Sequence, residues 1–183
     1  ADAPLCEKLR PDVTVVAAGA SLEQASFNGG VPLDAYDVLT GKVKAAGRVV
    51  IVGGERLGLV AAEALAGEGA KVTLIERSRR IGEDVTPTFR WRHMAWLKEF
   101  GIESVTGARI ASMAGGLVRL ALEGGEREIE TDAVVLAGPR RSRQELLRAL
   151  EFSSDELYVI GDAVAPRSLY NAIHEGYKLG VRI

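Results

Sequence analysis

The sequence predicts an α/β fold, a parallel sheet with helices on both faces and an antiparallel meander, and three observations predict it. Residues 48–76, RVVIVGGERLGLVAAEALAGEGAKVTLIE, read as strand, glycine turn, helix and second strand, with an acid where that strand ends. That order builds a mononucleotide-binding βαβ unit. Residues 13–18, VTVVAA, form a continuous apolar run stopped by Gly19, the pattern of a strand buried on both faces of a parallel sheet. From Arg109 to Glu130 the pattern switches to short alternating runs around Gly115-Gly116 and Gly124-Gly125, which reads as hairpins.

The elements follow in order. After the 13–18 strand, residues 21–47 are polar and turn-rich, with Asn28-Gly29-Gly30 and a short helical piece near Asp34 to Leu39. Strand 48–52 enters the glycine turn. Helix 57–67 carries Ala61, Ala62, Ala64 and Ala66, small enough for close packing on a sheet, and Gly69 marks its exit. Strand 71–75 ends at Glu76. Thr86-Pro87 starts a helix, with Thr as N-cap and Pro at the first helical place, that runs to Phe100 and stops at Gly101. The meander takes 109–113, 117–122 and 126–130. Strand 132–137 follows, then a polar loop and short helix over 139–149, a last strand at 157–160, and a helix over 168–183.

Composition bounds the function. The chain has 183 residues, 47% apolar and 26% charged, ordinary for a soluble globular protein. A net charge of −2 offers no electrostatic case for nucleic acid or an anionic membrane. The apolar runs are strand-sized, short of a bilayer span, and the opening ADAPLCEKLRPD lacks the pattern of a signal peptide. Cys6 is the single cysteine, so no internal disulfide or CxxC redox pair exists. One cysteine and two distant histidines argue against a metal site, and a reducing, cytoplasmic setting is the expectation.

The candidate binding residues cluster at the glycine turn. A dinucleotide fingerprint places glycine at its first, third and sixth positions. Here those positions are Gly53, Glu55 and Gly58, with Gly54, Arg56 and Leu57 between them. The glycines and the helix N-terminus would present backbone N–H groups to a pyrophosphate. Glu55 adds bulk and like charge where that group must approach. Either Arg56 offsets it and Glu55 points to solvent, or Glu55 marks a purely structural turn. Glu76 stands where an acid accepts from both adenosine ribose hydroxyls, which favours NAD(H) or ADP. Arg77, Arg79 and Arg80 suit a 2′-phosphate and keep NADP open. Ala137, Gly138 and Pro139 close a strand at the edge where open α/β sheets hold ligands. His93 and His174 have no catalytic partner at a diagnostic spacing, and Trp91 and Trp96 read as core or interface residues. No catalytic nucleophile, base or metal site emerges.

Seven motifs in order carry a family resemblance: PDVTVVAAGA (11–20), DAYDVLTGKV (34–43), RVVIVGG with Gly58 (48–58), VTLIERSRRIGED (72–84), LKEFGIE (97–103), DAVVLAGPR (132–140) and ELYVIGDAVAPRSLYNAIHEGY (156–177). The chain resembles the nucleotide modules of glutathione-reductase-like flavoproteins, closest to the C-terminal region of the 2,4-dienoyl-CoA reductase, 2-enoate reductase and trimethylamine dehydrogenase group. The resemblance implies a Rossmann-like NAD(P)-type domain over 44–150 inserted into a partial FAD-type domain, 1–43 and 151–183. It places Ala137 to Pro139 near the nicotinamide, and Gly19 with Gly161 and Asp162 against FAD. The family's first FAD fingerprint has no counterpart here. The expectation is therefore a fragment, or a chain whose FAD half is supplied by another, with FAD bound only when that half is present. Partners would be the FAD half or other enzyme domains, or a homodimer through the apolar 13–18 edge. The alternative is a non-catalytic interaction or assembly domain with a vestigial nucleotide site.

Overall fold

The computed structural model describes residues 2–23, 27, 30–151 and 156–183. Asn28 and Gly29 of the predicted turn lie outside them. In chain order the elements begin with α1 (Ala3–Leu9), β1 (Thr14–Val16), β2 (Ala20–Leu22), β3 (Leu33–Asp34) and α2 (Ala35–Leu39). The βαβ unit is β4 (Arg48–Val52), α3 (Arg56–Gly67) and β5 (Lys71–Glu76), followed by α4 (Pro87–Glu99) and β6 (Glu103–Thr106). The meander is β7 (Arg109–Ala114), β8 (Leu117–Leu122) and β9 (Gly125–Glu130). Then come β10 (Ala133–Leu136), β11 (Arg140–Ser142), α5 (Glu145–Leu150), β12 (Leu157–Val159), a 3-10 turn at Gly161–Ala163 and α6 (Leu169–Gly180). The chain forms two compact units, residues 24–139 and residues 1–23 with 140–183.

The 24–139 unit is built on a five-stranded parallel sheet, in the order β3-β10-β4-β5-β6. Side chains alternate across a strand, so each central strand serves two cores. On one face Val49 and Ile51 of β4, Val72 and Leu74 of β5 and Val135 of β10 meet Leu59, Ala62 and Leu65 of α3 and Leu97 of α4. On the other face Val50, Ile75 and Val134 meet Val118 and Leu120 of β8. The sequence placed helices on both faces of this sheet. The structure puts α2, α3 and α4 on one face and the meander on the other, where the alternating β8 turns Val118 and Leu120 toward the sheet. Capping follows local chemistry. Asp34 N-caps α2 by accepting from the Tyr36 N–H at 2.7 Å.

α4 is held to its neighbours by polar ties as well as packing, since Leu97 is its buried residue. His93 Nδ1 meets Glu63 Oε1 of α3 at 2.7 Å. The Arg90 Nε–H donates to the Ile81 carbonyl at 2.8 Å. His93 thus gains a carboxylate partner from another helix, which no sequence spacing reveals. Trp91 is exposed, so it is not a core residue.

In the other unit β1 and β12 pair in parallel, Val15 opposite Tyr158, as the two apolar runs predict. The β1 strand is shorter than the expected 13–18. It ends at Val16, and the chain turns through Gly19 at φ +72° into β2. β2 pairs antiparallel with β11, Ser21 opposite Arg141. The 140–142 stretch reads in sequence as polar loop because its residues are Arg-Arg-Ser. α1, with Asp2 accepting from the Leu5 N–H at 3.1 Å, lies against α5. Among the described residues no helix is long and apolar enough to cross a membrane.

Candidate functional site: the glycine turn and the cavity at the strand ends

The turn after β4 is shaped by what surrounds each glycine. Gly53 sits at φ +111°, a conformation that side chains rarely adopt, and its N–H donates to the Ile75 carbonyl at 2.8 Å. A Cβ on Gly58 would lie 1.7 Å from the Gly53 carbonyl oxygen, so only glycine lets α3 start this close to β4. A Cβ on Gly54 would lie 2.8 Å from Cβ of Glu76. The missing side chain at 54 is therefore the space that Glu76 fills. Glu55, at the middle glycine's place, has φ −80°, so its backbone demands no glycine. It is the N-cap of α3 and its exposed side chain lines the cavity described below.

Glu76 is doubly engaged. Its Oε2 accepts from the Gly54 N–H and its Oε1 from the Ser78 N–H, both at 2.6 Å. A carboxylate offers about four acceptor sites, so about two remain for ribose hydroxyls after these bonds. The loop beyond β5 clasps the turn at two further points. The Gly82 N–H donates to the Gly54 carbonyl at 2.7 Å, and the Arg56 N–H donates to Asp84 Oδ1 at 2.8 Å. Asp84 thus places a carboxylate on the first N–H of α3, where the helix dipole favours negative charge. The Arg56 guanidinium donates to the Asp84 carbonyl at 3.3 Å. The first intrahelical bond runs from the Leu59 N–H to the Glu55 carbonyl at 2.9 Å, so the Leu57 and Gly58 N–H groups belong to the open first turn.

A cavity of about 350 Å³ opens at the carboxyl ends of β4, β5 and β10. It brings together Gly53, Glu55, Glu76, Arg77, Ala137, Gly138 and Pro139, all singled out in sequence. Gly54, Arg56, Leu57 and Gly58 build the turn behind it without lining it. Its walls also include Phe27, Ala108, Arg109 and Ile110, which sequence reasoning passed over. The last three follow from the meander's start, but only the fold brings β7 to the end of β5. The volume lies within the roughly 300–1,000 Å³ of small-molecule sites. Its surface combines a glycine turn, the Glu76 carboxylate, an apolar floor and the flanking Arg77 and Arg109.

In the other unit, Gly19 and the Gly161-Asp162 pair follow the carboxyl ends of the adjacent parallel strands β1 and β12, joined by the Ile160 N–H to the Val16 carbonyl at 3.1 Å. Asp162 Oδ2 accepts from Arg140 at 2.8 Å and Oδ1 from the Arg167 N–H at 2.9 Å. The Gly161 N–H donates to Glu175 Oε2 at 2.7 Å, and Glu175 also pairs with Arg167. That backbone bond, with Arg167 beside it, holds the Glu175 carboxyl below the usual glutamate range. The loop at Gly161-Asp162 is thus held in place by the Arg140–Asp162 and Arg167–Glu175 ion pairs. Arg140, Arg167 and Glu175 were not singled out in sequence, since their partners are brought together only by folding. His174 stacks on Tyr170 at 5.7 Å.

The family model of the pyridine nucleotide-disulphide oxidoreductases matches residues 7–176. An NADH oxidase of Thermoanaerobacter brockii is 31% identical over 192 residues, covering 100% of this chain and 30% of that protein. A metal reductase of Desulforamulus reducens is 28% identical over 179 residues, covering 82% of this chain and 27% of the relative. Among solved structures, a 2-naphthoyl-CoA reductase in complex with 2-naphthoyl-CoA superposes with a TM-score of 0.92 at 32% identity, over 100% of this chain and 28% of its own. The chain therefore spans less than a third of the length of these relatives.

Proposed function

The chain belongs to the pyridine nucleotide-disulphide oxidoreductase family, and from that premise we propose that it is the nucleotide-binding module of a flavin-dependent NAD(P)H oxidoreductase. The carrying observation is the cavity at the carboxyl ends of β4, β5 and β10, with Glu76 held at its edge by the Gly54 and Ser78 N–H groups. The ligand is NAD(H) or ADP. Glu76 keeps acceptor capacity for two ribose hydroxyls and would repel a 2′-phosphate; Arg77 and Arg109 at the cavity keep NADP as the competing ligand. The family supplies FAD as a second group, and the residues toward it are Gly19, Gly161 and Asp162. When bound, the cofactors would carry hydride from NAD(P)H to FAD. This chain binds and orients the nicotinamide or adenine nucleotide, and holds FAD only together with a Gly-rich FAD half. The 32% identity to a CoA-thioester reductase supports placing the parent enzyme near the 2,4-dienoyl-CoA reductase, 2-enoate reductase and trimethylamine dehydrogenase group.

A second reading, a non-catalytic assembly domain with a vestigial site, is favoured by one observation. Gly53, Gly54 and Gly58 are each accounted for by contacts within the protein, and Glu55 adds charge at the cavity. Calorimetric titration with ADP, NADH and NADPH, beside an absorbance scan for flavin, separates the two. Micromolar binding of ADP or NADH supports the module; no binding by any of the three supports the assembly domain. Under the first reading Glu55→Gly tightens ADP binding by about tenfold, on the order of 1.4 kcal/mol, because a carboxylate leaves the pyrophosphate's path. An unchanged affinity in the same titration would discard Glu55 as the determinant.

A further inference from the structure

The 24–139 unit holds a second cavity, of about 510 Å³, between the loop that follows β5 and the first two turns of α4. It shares no lining residue with the cavity at the strand ends. Its volume also lies within the roughly 300–1,000 Å³ of small-molecule sites. Val85, which is buried, and Met94, which is half-buried, give it an apolar floor. Trp91 stands in the wall and is 62% exposed. A large indole left this open beside a cavity has apolar area to offer a ligand. The wall around it is fixed by its own hydrogen bonds. The Val85 N–H donates to the Gly82 carbonyl at 3.2 Å, closing a turn in which Gly82 has φ +67°. Ser78 Oγ donates to the Arg80 carbonyl at 2.6 Å. Arg90 is pinned at one nitrogen, its Nε–H on the Ile81 carbonyl at 2.8 Å. Its stem passes over Gly82, where a Cβ would lie 3.6 Å from Arg90 Cγ. The other two guanidinium nitrogens of Arg90, and the whole Arg80 guanidinium, have no hydrogen-bond or ion-pair partner among the described residues.

We propose that this cavity binds a planar aromatic carboxylate, with its ring against the Trp91 indole and its carboxylate on Arg80 and Arg90. Charge selects the ligand. Two guanidinium groups against the one carboxylate of Glu83 leave a single positive charge on the lining. Asp84 does not alter that balance, because its Oδ1 accepts from the Arg56 N–H and it does not line the cavity. One carboxylate neutralises the remaining charge, in the forked hydrogen bonding that guanidinium groups favour. A phosphate dianion would bring a second negative charge beside Glu83 and leave it unmatched. Shape selects the ring. An indole face and the apolar Val85 and Met94 suit a flat aromatic body, which stacks with its edge or face offset on another ring. The site stands apart from the glycine turn, so it does not depend on the nucleotide reading above.

The test titrates the full chain with 1-naphthoate, followed by calorimetry and by the indole N–H resonances of its two tryptophans, Trp91 and Trp96. Trp91→Ala assigns the two signals. The expected result is saturable binding below about 1 mM, a shift of the Trp91 resonance well beyond that of Trp96, and the same affinity when ADP is present. Arg80→Gln and Trp91→Ala should each weaken binding about tenfold. Both side chains are exposed, so the thermal midpoint should stay where it is. 1-Naphthamide keeps the ring and loses the charge, and it should bind about tenfold less tightly than the acid. No saturation by about 1 mM, a Trp91 resonance that does not move, or indifference to either substitution overturns the proposal. So does equal binding of the amide, since the arginines would then recognise nothing. Binding that ADP abolishes places the naphthoate in the cavity at the strand ends and overturns it too. Tighter binding of 1-naphthyl phosphate than of 1-naphthoate would overturn the assignment of a carboxylate.

Discussion

Asp132 illustrates how single residues tie the start of the βαβ unit to the end of the meander. Its Oδ2 accepts from the Arg48 N–H at 2.8 Å, and its Oδ1 from the Arg48 guanidinium at 2.8 Å. Gly47 makes this approach available, since a Cβ there would lie 2.6 Å from Asp132 Oδ2. The Arg48 side-chain and backbone donors hold the Asp132 carboxyl down at about 2, against an ordinary value of 3.8. A carboxyl depressed in the folded state stabilises the fold above its unfolded pKa, and that contribution fades as pH falls through the folded one. The window is therefore pH 4 down to 2. Asp132→Asn should lower the denaturation midpoint at neutral pH, and the gap between variant and parent should close as pH drops through this window. A gap that stays constant down to pH 2 in urea melts would show that Asp132 does not couple to folding.

At the scale of elements, the meander contributes one whole core. Leu120 and Val118 of β8 are fully buried against Val50, Ile75 and Val134 of the sheet. β9, by contrast, is largely exposed, with Arg119 of β8 pairing with Glu128 at 2.7 Å across it. Such exposed pairs contribute little, so β8 carries the attachment. Leu120→Ala should cost about 2–5 kcal/mol. Hydrogen exchange should report β7, β8 and β9 amides opening before those of β4 and β5. Equal acceleration in both would mean the sheet and meander open as a single body. The meander, the βαβ unit and the β1–β12 pairing were all legible in sequence, because each has a strong period and glycine punctuation. β2, β11 and β3 were not. They run two or three residues, too short for a period, and exist because partners distant in sequence supply their hydrogen bonds. The site was legible in the same measure. Gly53, Glu76 and Pro139 announce themselves by motif, whereas Asp84 on the α3 N-terminus and Arg109 at the cavity depend on where loops are carried by the fold.

At the scale of the whole molecule, the division of the chain makes a strong demand. Every residue lining the cavity at the strand ends falls between 27 and 139, and both apolar cores lie within the same continuous stretch. The other unit is assembled from two separated pieces, 1–23 and 140–183. The bonds that shape the cavity, Glu76 to Gly54 and Ser78, Gly82 to Gly54, and Asp84 to Arg56, also close within the continuous unit. A domain of roughly 100 residues is of a size that folds alone. Residues 24–139 expressed by themselves should therefore give a cooperative thermal transition and bind ADP within about threefold of the full chain, near 0.7 kcal/mol. The result separates two sources of affinity. Retained binding places the whole nucleotide site in one contiguous unit. A cooperative fold with binding lost would mean that the outer segments supply a determinant of the site, and Gly138-Pro139, where the chain leaves the cavity for β11, would be the first place to look for it.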